Sequence, residues 1–243
     1  MNADPNPPTT SAPVDTAAQW EDYVDILYAP SRVFARRATS GFWLPMLVVT
    51  VVGAAIFYAS FDAMAPIMDA EFSRSASAAV RRGATPEMMA KGRAIGEKVV
   101  KVMAVIAPPV LIFLTGLLLW LAGRVVGARQ TLNAAITVAA FASVPRVVAA
   151  LLGAAQAVML DPSVLTSRYS VGFSPARFLD ATTDSPLLVA LAGRFDLVTL
   201  WSTALLAIGL AVTGRIPRPR AAIAALLVFV VSSIPEILTA LRQ

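Results

Sequence analysis

The sequence predicts an all-α integral membrane protein: five transmembrane helices, accompanied by amphipathic helices at the interface and outside the membrane. Three observations carry that expectation. Of 243 residues, 57% are hydrophobic and only 14% are charged, against roughly a quarter charged in an ordinary soluble domain. Five apolar stretches approach or exceed the about 20 helical residues needed to cross a hydrocarbon core of ~30 Å. The short links between them concentrate arginine on one side, the pattern that orients membrane helices.

Taken in order, residues 1–19 begin MNADPNPPTT and contain four prolines and no apolar block, which predicts a disordered tail and not a signal peptide. Residues 20–243 form one membrane domain. Between Trp20 and Arg37, apolar residues Trp20, Val24, Leu27 and Tyr28 recur at helical spacing, and Pro30 restarts the chain before Val33 and Phe34. This reads as an interfacial helix pair with Trp20, Leu27 and Phe34 as contact residues; a solvated linker is the plainer alternative. Span one covers 42–61 without a charge. In the outer stretch that follows, Thr85-Pro86-Glu87 is a helix start, with Thr as cap and proline in the first turn. Span two covers 102–123, its beginning kinked by Pro108-Pro109, and span three covers 132–160. Residues 161–186 have turn chemistry and predict a loop with a short surface helix. Span four, 195–213, starts beside Asp196, which caps or anchors it, with Trp201 packing within; span five, 221–241, carries Glu236 near its far end.

Five spans place the termini on opposite sides. The links 124–131 and 214–220 hold five arginines and no acid, and the segment before span one ends in Arg36-Arg37. By the positive-inside rule these lie in the cytoplasm, so the N-terminus is inside and the C-terminus outside. The stretch 62–101 has seven basic residues but also five acids, and long segments translocate despite their charge.

Arg146 interrupts span three. A central arginine costs about 2.5–3.5 kcal/mol on an insertion scale, which nearly cancels the about 0.3–0.6 kcal/mol that each large apolar neighbour contributes. At 100° per residue, its face carries Ala139, Ala142, Ser143, Ala149, Ala150 and Gly153, with Phe141, Val144, Val148 and Leu151 opposite. Small residues favour close helix approach, so that face is expected to turn into the bundle and the larger one to lipid; Gly123-x-x-x-Gly127 is a further small-residue contact. Span three, NAAITVAAFASVPRVVAAL, aligns with span five, IAALLVFVVSSIPEILTAL, so that Pro145-Arg146 falls on Pro235-Glu236. A tandem helical-hairpin repeat, spans two-three and four-five, would place the two charges at similar depth. The expectation is an intramembrane Arg146–Glu236 ion pair beside the helix-kinking Pro145 and Pro235. The alternative is that Arg146 snorkels to the outer head groups while Glu236 sits in the outer interface.

With no histidine and no cysteine, the usual zinc ligands and thiolate nucleophiles are missing. No catalytic, cofactor-binding or metal residues are expected, and GRVVGA lacks the context and the Lys-Ser/Thr of a phosphate loop. The positive balance of five fits orientation signals and lipid head groups and not nucleic acid. Seventeen Arg to three Lys leans towards a GC-rich bacterial genome, hence a bacterial cytoplasmic (inner) membrane.

DILYAPSRVFARR (25–37), GFWLP (41–45), ASVP (142–145) and DLVTLWSTALLAIGLAVTG (196–214) together resemble the Yip domain family, the Ypt/Rab-interacting membrane proteins and their bacterial relatives. The resemblance spans everything from Trp20 onward. It implies five transmembrane helices with a cytoplasmic N-terminus, and a non-catalytic interaction or scaffold role, as an accessory or assembly component of membrane transport or trafficking. The expected partners are the lipid bilayer and a membrane protein or further copies of the chain. The rival expectation is a small oligomeric transporter or channel using the intramembrane polar groups Arg146, Gln156 and Glu236.

Overall fold

The structure, a computed structural model, describes residues 19–241. The tail expected over residues 1–19 lies outside the described residues up to residue 18. Ten α-helices and two short 3₁₀ turns make up the described regular structure, and no strand occurs among the described residues. Four helical stretches are long and apolar enough to cross a membrane: Pro86–Val125, Leu132–Met159, Leu197–Gly214 and Arg218–Ala240. A shorter apolar helix, α3 (Trp43–Ala59), has 17 residues.

Two helices precede it: α1 (Asp22–Tyr28) and α2 (Pro30–Arg36), with Pro30 opening the second. After α3 come α4 (Ala65–Arg81) and α5 (Pro86–Val125), a single helix of 40 residues and therefore about 60 Å long. The Thr85 side chain accepts a hydrogen bond from the Met88 N–H at 3.3 Å, satisfying one of the free donors of the first turn. The outer helix and span two are thus one continuous rod, and it runs through Pro108 and Pro109 although each removes a rung of the backbone ladder.

Span three is two helices, α6 (Leu132–Ala142) and α7 (Val144–Met159), divided at Ser143. Pro145 has no N–H to offer Phe141, the Ser143 hydroxyl donates to the Ala139 carbonyl at 2.8 Å, and the Arg146 N–H turns back to Ser143 at 3.0 Å. After the loop come α8 (Pro186–Arg194), α9 (Leu197–Gly214) and α10 (Arg218–Ala240). Pro235 lies inside α10, which continues past it to Ala240.

The bundle is organised around α6. Every residue from Ala134 to Ala142 is buried, and α6 packs against α1, α3, α5 and α9. The expected division of span three into an inward small face and a lipid-facing large face therefore fails over its first half, where Phe141 and Val144 are buried too. The 100° pattern also does not carry across the break at Ser143. Beyond it, Val148 and Leu151 face outward, but so do Arg146 and Ala150 of the face expected to turn inward, where Gly153 is buried.

Close approach depends on two glycines. A Cβ on Gly116 of α5 would stand 2.6 Å from the Ile136 Cα, and one on Gly209 of α9 would stand 2.4 Å from the Val138 Cγ1. Glycine here allows backbones to meet where no hydrophobic force separates helix from lipid. By contrast Gly127 is past the end of α5, at φ +83° with open space around it, so Gly123-x-x-x-Gly127 is not a helix face. Gly123 alone is buried, beside Leu210 and Gln130.

Gly116→Ala is expected to lower stability by about 1–3 kcal/mol, because the obstacle is backbone and α5 must move away from α6. Gly92→Ala, in open space on the same helix, should be neutral or stabilising by up to about 1 kcal/mol. Equilibrium unfolding of both variants in one detergent distinguishes the effects; equal midpoints would show that the α5–α6 contact tolerates separation.

Candidate functional site

Charge is held at two ends of the bundle. One, the basic end, carries α1, α2 and the links 126–131 and 215–217. The links are clasped together by the Arg129 N–H on the Gly214 carbonyl at 3.1 Å. Buried Gln130 accepts from the Thr213 hydroxyl at 2.7 Å and reaches the Leu119 carbonyl at 3.5 Å.

Asp22 is wholly buried there and is met by two guanidinium groups. Arg36 donates to Oδ1 through Nη2 at 2.7 Å and Nε at 3.1 Å, and Arg37 donates to Oδ2. Asp25 also accepts from Arg36 and from the Tyr28 hydroxyl. The Tyr28 hydrogen bond and then Arg36 hold the Asp25 carboxyl below the usual aspartate range. Arg36 and Arg37 thus bind α1 to α2 in addition to contributing positive charge at this end. Sequence reading missed the lock; its signal is an acid in each of two successive turns of α1 facing two arginines after Pro30.

The interfacial residues divide. Trp20 is 68% exposed and Leu27 half-buried, but Phe34 is 1% exposed and belongs to the core, where its ring lies 3.2 Å from the position a Gly209 Cβ would take. The expected contact role of Phe34 is therefore corrected: α2 packs its inner face against α9. A half-open cavity of about 400 Å³ lies at this end, lined by Tyr23, Arg37, Ser40, Trp43, Leu44 and Phe141 among others. Its charges, Asp22 and Arg37, neutralise one another.

The far end carries the intramembrane charges. Glu236 on α10 is paired with Arg168 of the loop at 2.8 Å, and the Tyr169 hydroxyl donates to the same carboxylate oxygen at 3.2 Å. Burial raises the Tyr169 phenol above its ordinary value, which keeps that hydroxyl protonated as a donor. The Arg146 side chain on α7 forms no hydrogen bond or ion pair with any of the described residues, so the expected Arg146–Glu236 pair is not made. The loop arginine, whose position relative to the spans cannot be read from hydropathy, has taken the carboxylate. The charges that act on Arg146 are Arg194, at the end of α8, and Asp196.

Asp196 is the cap of α9. Its Oδ1 accepts from the N–H groups of Val198 at 2.9 Å and Thr199 at 3.2 Å, and its Oδ2 from Phe173 at 3.1 Å. Trp201, one turn on, is 38% exposed along α9. Arg194 is fixed to α10: Nε donates to the Ser233 hydroxyl at 2.5 Å, Nη2 to the Phe229 carbonyl at 3.1 Å and to Ser232, and the guanidinium lies 4.7 Å over the Phe229 ring. Gln156 on α7 accepts from Arg177 at 2.9 Å and reaches the Val171 carbonyl at 3.4 Å. The loop between α7 and α8 thereby straps the far ends of α7, α9 and α10 together. Among the described residues no group of three or more His, Cys, Asp or Glu stands together to hold a metal.

Long apolar helices packed round a buried central helix, with ion pairs confined to the two ends, define an all-helical integral membrane protein. The family model of the Yip1 domain matches residues 24–235, so the chain belongs to the Yip1 domain family. No curated protein and no solved structure matches it.

Asp22→Asn should cost about 3 kcal/mol, because it removes the buried carboxylate that Arg37 faces and that Arg36 shares with Asp25. Thermal unfolding in detergent checks this, and a loss below about 1 kcal/mol, the size of a surface pair, would show the lock to be dispensable. For Asp25 the folded value is the lowered one, so its contribution is complete above the unfolded value of about 4 and is lost as pH falls through the folded value. Asp25→Asn should remove that part of the acid dependence. Arg146→Leu and Glu236→Leu, singly and combined, should change stability additively to within about 0.5 kcal/mol; a coupling above about 1 kcal/mol would restore the direct pair.

Proposed function

We propose that the protein is a non-catalytic interaction or scaffold protein of the membrane, serving as an accessory or assembly component of a transport or trafficking system. The observation that carries this reading is the free arm of α5. Every residue from Ala90 to Val100 is exposed, including Ile95 and Val99. The arm is tethered to α4 by the Arg93–Asp69 pair and by Arg93 over the Phe72 ring at 5.5 Å. Helices in water draw most of their stability from packing an apolar face, and this one presents apolar residues with little of its own chain against them. A partner membrane protein supplies the missing surface.

In this reading α3 is a fifth span; its 17 residues give about 25 Å of helix, enough with the flanking turns to cross. The two hairpins, α5–α6/α7 and α9–α10, are the candidate tandem copies. The basic end is cytoplasmic, with the N-terminus inside and the C-terminus outside, and the arginine-rich, lysine-poor composition suits a bacterial-type member in the cytoplasmic membrane. The rival reading, a small oligomeric transporter or channel, is weakened by the Arg168 and Tyr169 contacts that occupy Glu236.

Affinity purification of the full chain in mild detergent, followed by mass spectrometry, should recover a second membrane protein in near-stoichiometric amount. The double variant Ile95→Glu, Val99→Glu should lose that partner with an unchanged unfolding midpoint. Recovery of the chain alone as a discrete oligomer, with saturable solute flux in liposomes, would overturn the scaffold reading.

A further inference from the structure

The half-open cavity of about 400 Å³ at the basic end has the size of a small-molecule site, and its hydrogen-bonding chemistry is one-sided. Asp22, the acid that lines it, has both carboxylate oxygens taken by Arg36 and Arg37. The Ser40 carbonyl accepts from the Asn133 amide at 3.0 Å and from the Thr137 hydroxyl at 3.3 Å. These acceptors are already answered.

The donors are not. Arg37 meets Asp22 through Nε alone, which leaves both Nη groups without a partner among the described residues. The hydroxyls of Ser40 and Tyr23, both lining residues, also bond to none of the described residues. Helix α3 starts at the cavity wall, and no side chain caps it. The N–H groups of Trp43 and Leu44 in its first turn have no partner among the described residues, and they carry the positive end of the helix dipole. A ligand that fits here supplies acceptor oxygens.

The surface outside the cavity supplies the other half of the ligand. Leu44 lines the cavity and is exposed, and Leu47, Val51 and Ala55 follow it at helical spacing along the exposed side of α3. They form an apolar track of about 16 Å leading from the cavity into the span. Trp43, beside the mouth, is 69% exposed, the setting of an aromatic residue at head-group level. Acceptor oxygens at one end and hydrocarbon at the other are the parts of a phospholipid. Its phosphodiester suits a guanidinium edge, hydroxyls and a helix N-terminus. A free phosphate would use the donors and leave the track bare.

We infer that the cavity between α1 and the start of α3 binds the phosphodiester of a phospholipid, with the Nη groups of Arg37, the hydroxyls of Ser40 and Tyr23 and the first N–H groups of α3 as donors, and with an acyl chain along α3. Because Asp22 also holds Arg37, the lock between α1 and α2 sets the position of the charged donor. The site does not depend on the scaffold reading, since it requires no protein partner.

The full-length protein in detergent is titrated with phosphatidylethanolamine, and bound lipid is counted by native mass spectrometry. Wild type should hold one lipid per chain. Gly41 lines the cavity with open space where a Cβ would stand, so Gly41→Asp sets a carboxylate beside the donors and should weaken binding about tenfold, the size of one charge-assisted contact. Gly41→Asn, of the same shape without the charge, should stay within about threefold of wild type. Ser40→Ala removes a hydroxyl that bonds to no described residue, so it remains informative even where Gly41→Asp fails to fold; it should weaken binding about threefold. Diacylglycerol, which has the chains but no phosphate, should not compete, nor should millimolar inorganic phosphate. Displacement by diacylglycerol would remove the phosphate from the reading, displacement by inorganic phosphate would assign the site to the free ion, and equal binding by wild type, Gly41→Asp and Ser40→Ala would place the lipid elsewhere. Each of these results would overturn the proposal.

Discussion

The constraint on which the structure depends is the burial of α6 on all sides. A helix surrounded by other helices in a membrane gains nothing from leaving water at that step, so its neighbours are held by contact alone. Contact requires that helices come near, and Gly116 and Gly209 provide the close approaches to α6, against Ile136 and Val138. Small residues along α6 itself, from Ala134 through Ala142, complete the fit. Phe34 fills the space beside Gly209, which draws α2 into the core and makes the pair α1–α2 a structural member of the bundle and not a float on its surface.

Because the centre is committed to close packing, charge is displaced to the ends, and each end solves the problem differently. At the basic end one buried carboxylate is shared by Arg36 and Arg37, with Asp25 as a second acceptor. This is a closed network whose value lies in fixing α1 on α2, since replacing such a network by apolar groups need not reduce stability whereas opening it does. At the far end the acids are consumed locally by a loop arginine, a tyrosine and backbone donors, and the positive charge of Arg146 is left over. The same chemistry thus yields a lock at one end and an unanswered cation at the other.

Most of the helical plan was legible from hydropathy. Apolar length marks the spans, Thr85 and Asp196 mark helix starts by side-chain type, and Pro30 marks the restart of α2. What periodicity could not show was the break at Ser143, because the apolar run is unbroken across it and a proline is compatible with either a kink or an end. Nor could it show that α5 continues for 40 residues, since its polar third and its apolar two-thirds look like different elements. The Arg146–Glu236 pairing came from matching depths within spans, and depth says nothing of a competitor in a loop: Arg168 lies 68 residues from Glu236 in the chain. Asp22 was overlooked for the opposite reason, as an acid near a terminus reads as solvated until its two partners are folded over it.

The contrast between Arg146 and Arg194 shows how position along a helix decides what an arginine does. Arg194 ends α8 where α10 passes alongside, so hydroxyls one turn before Pro235 and an aromatic ring are within reach, and its guanidinium is held rigid. Arg146 lies near the start of α7 just after the break, where Pro145 is buried and the Arg146 side chain is exposed, away from the core. Closing the break would rotate α7 relative to α6 and carry Arg146 to another face. The interruption at Ser143 therefore does more than end a helix: it aims a permanent charge at the end of the bundle where the other acids are already occupied.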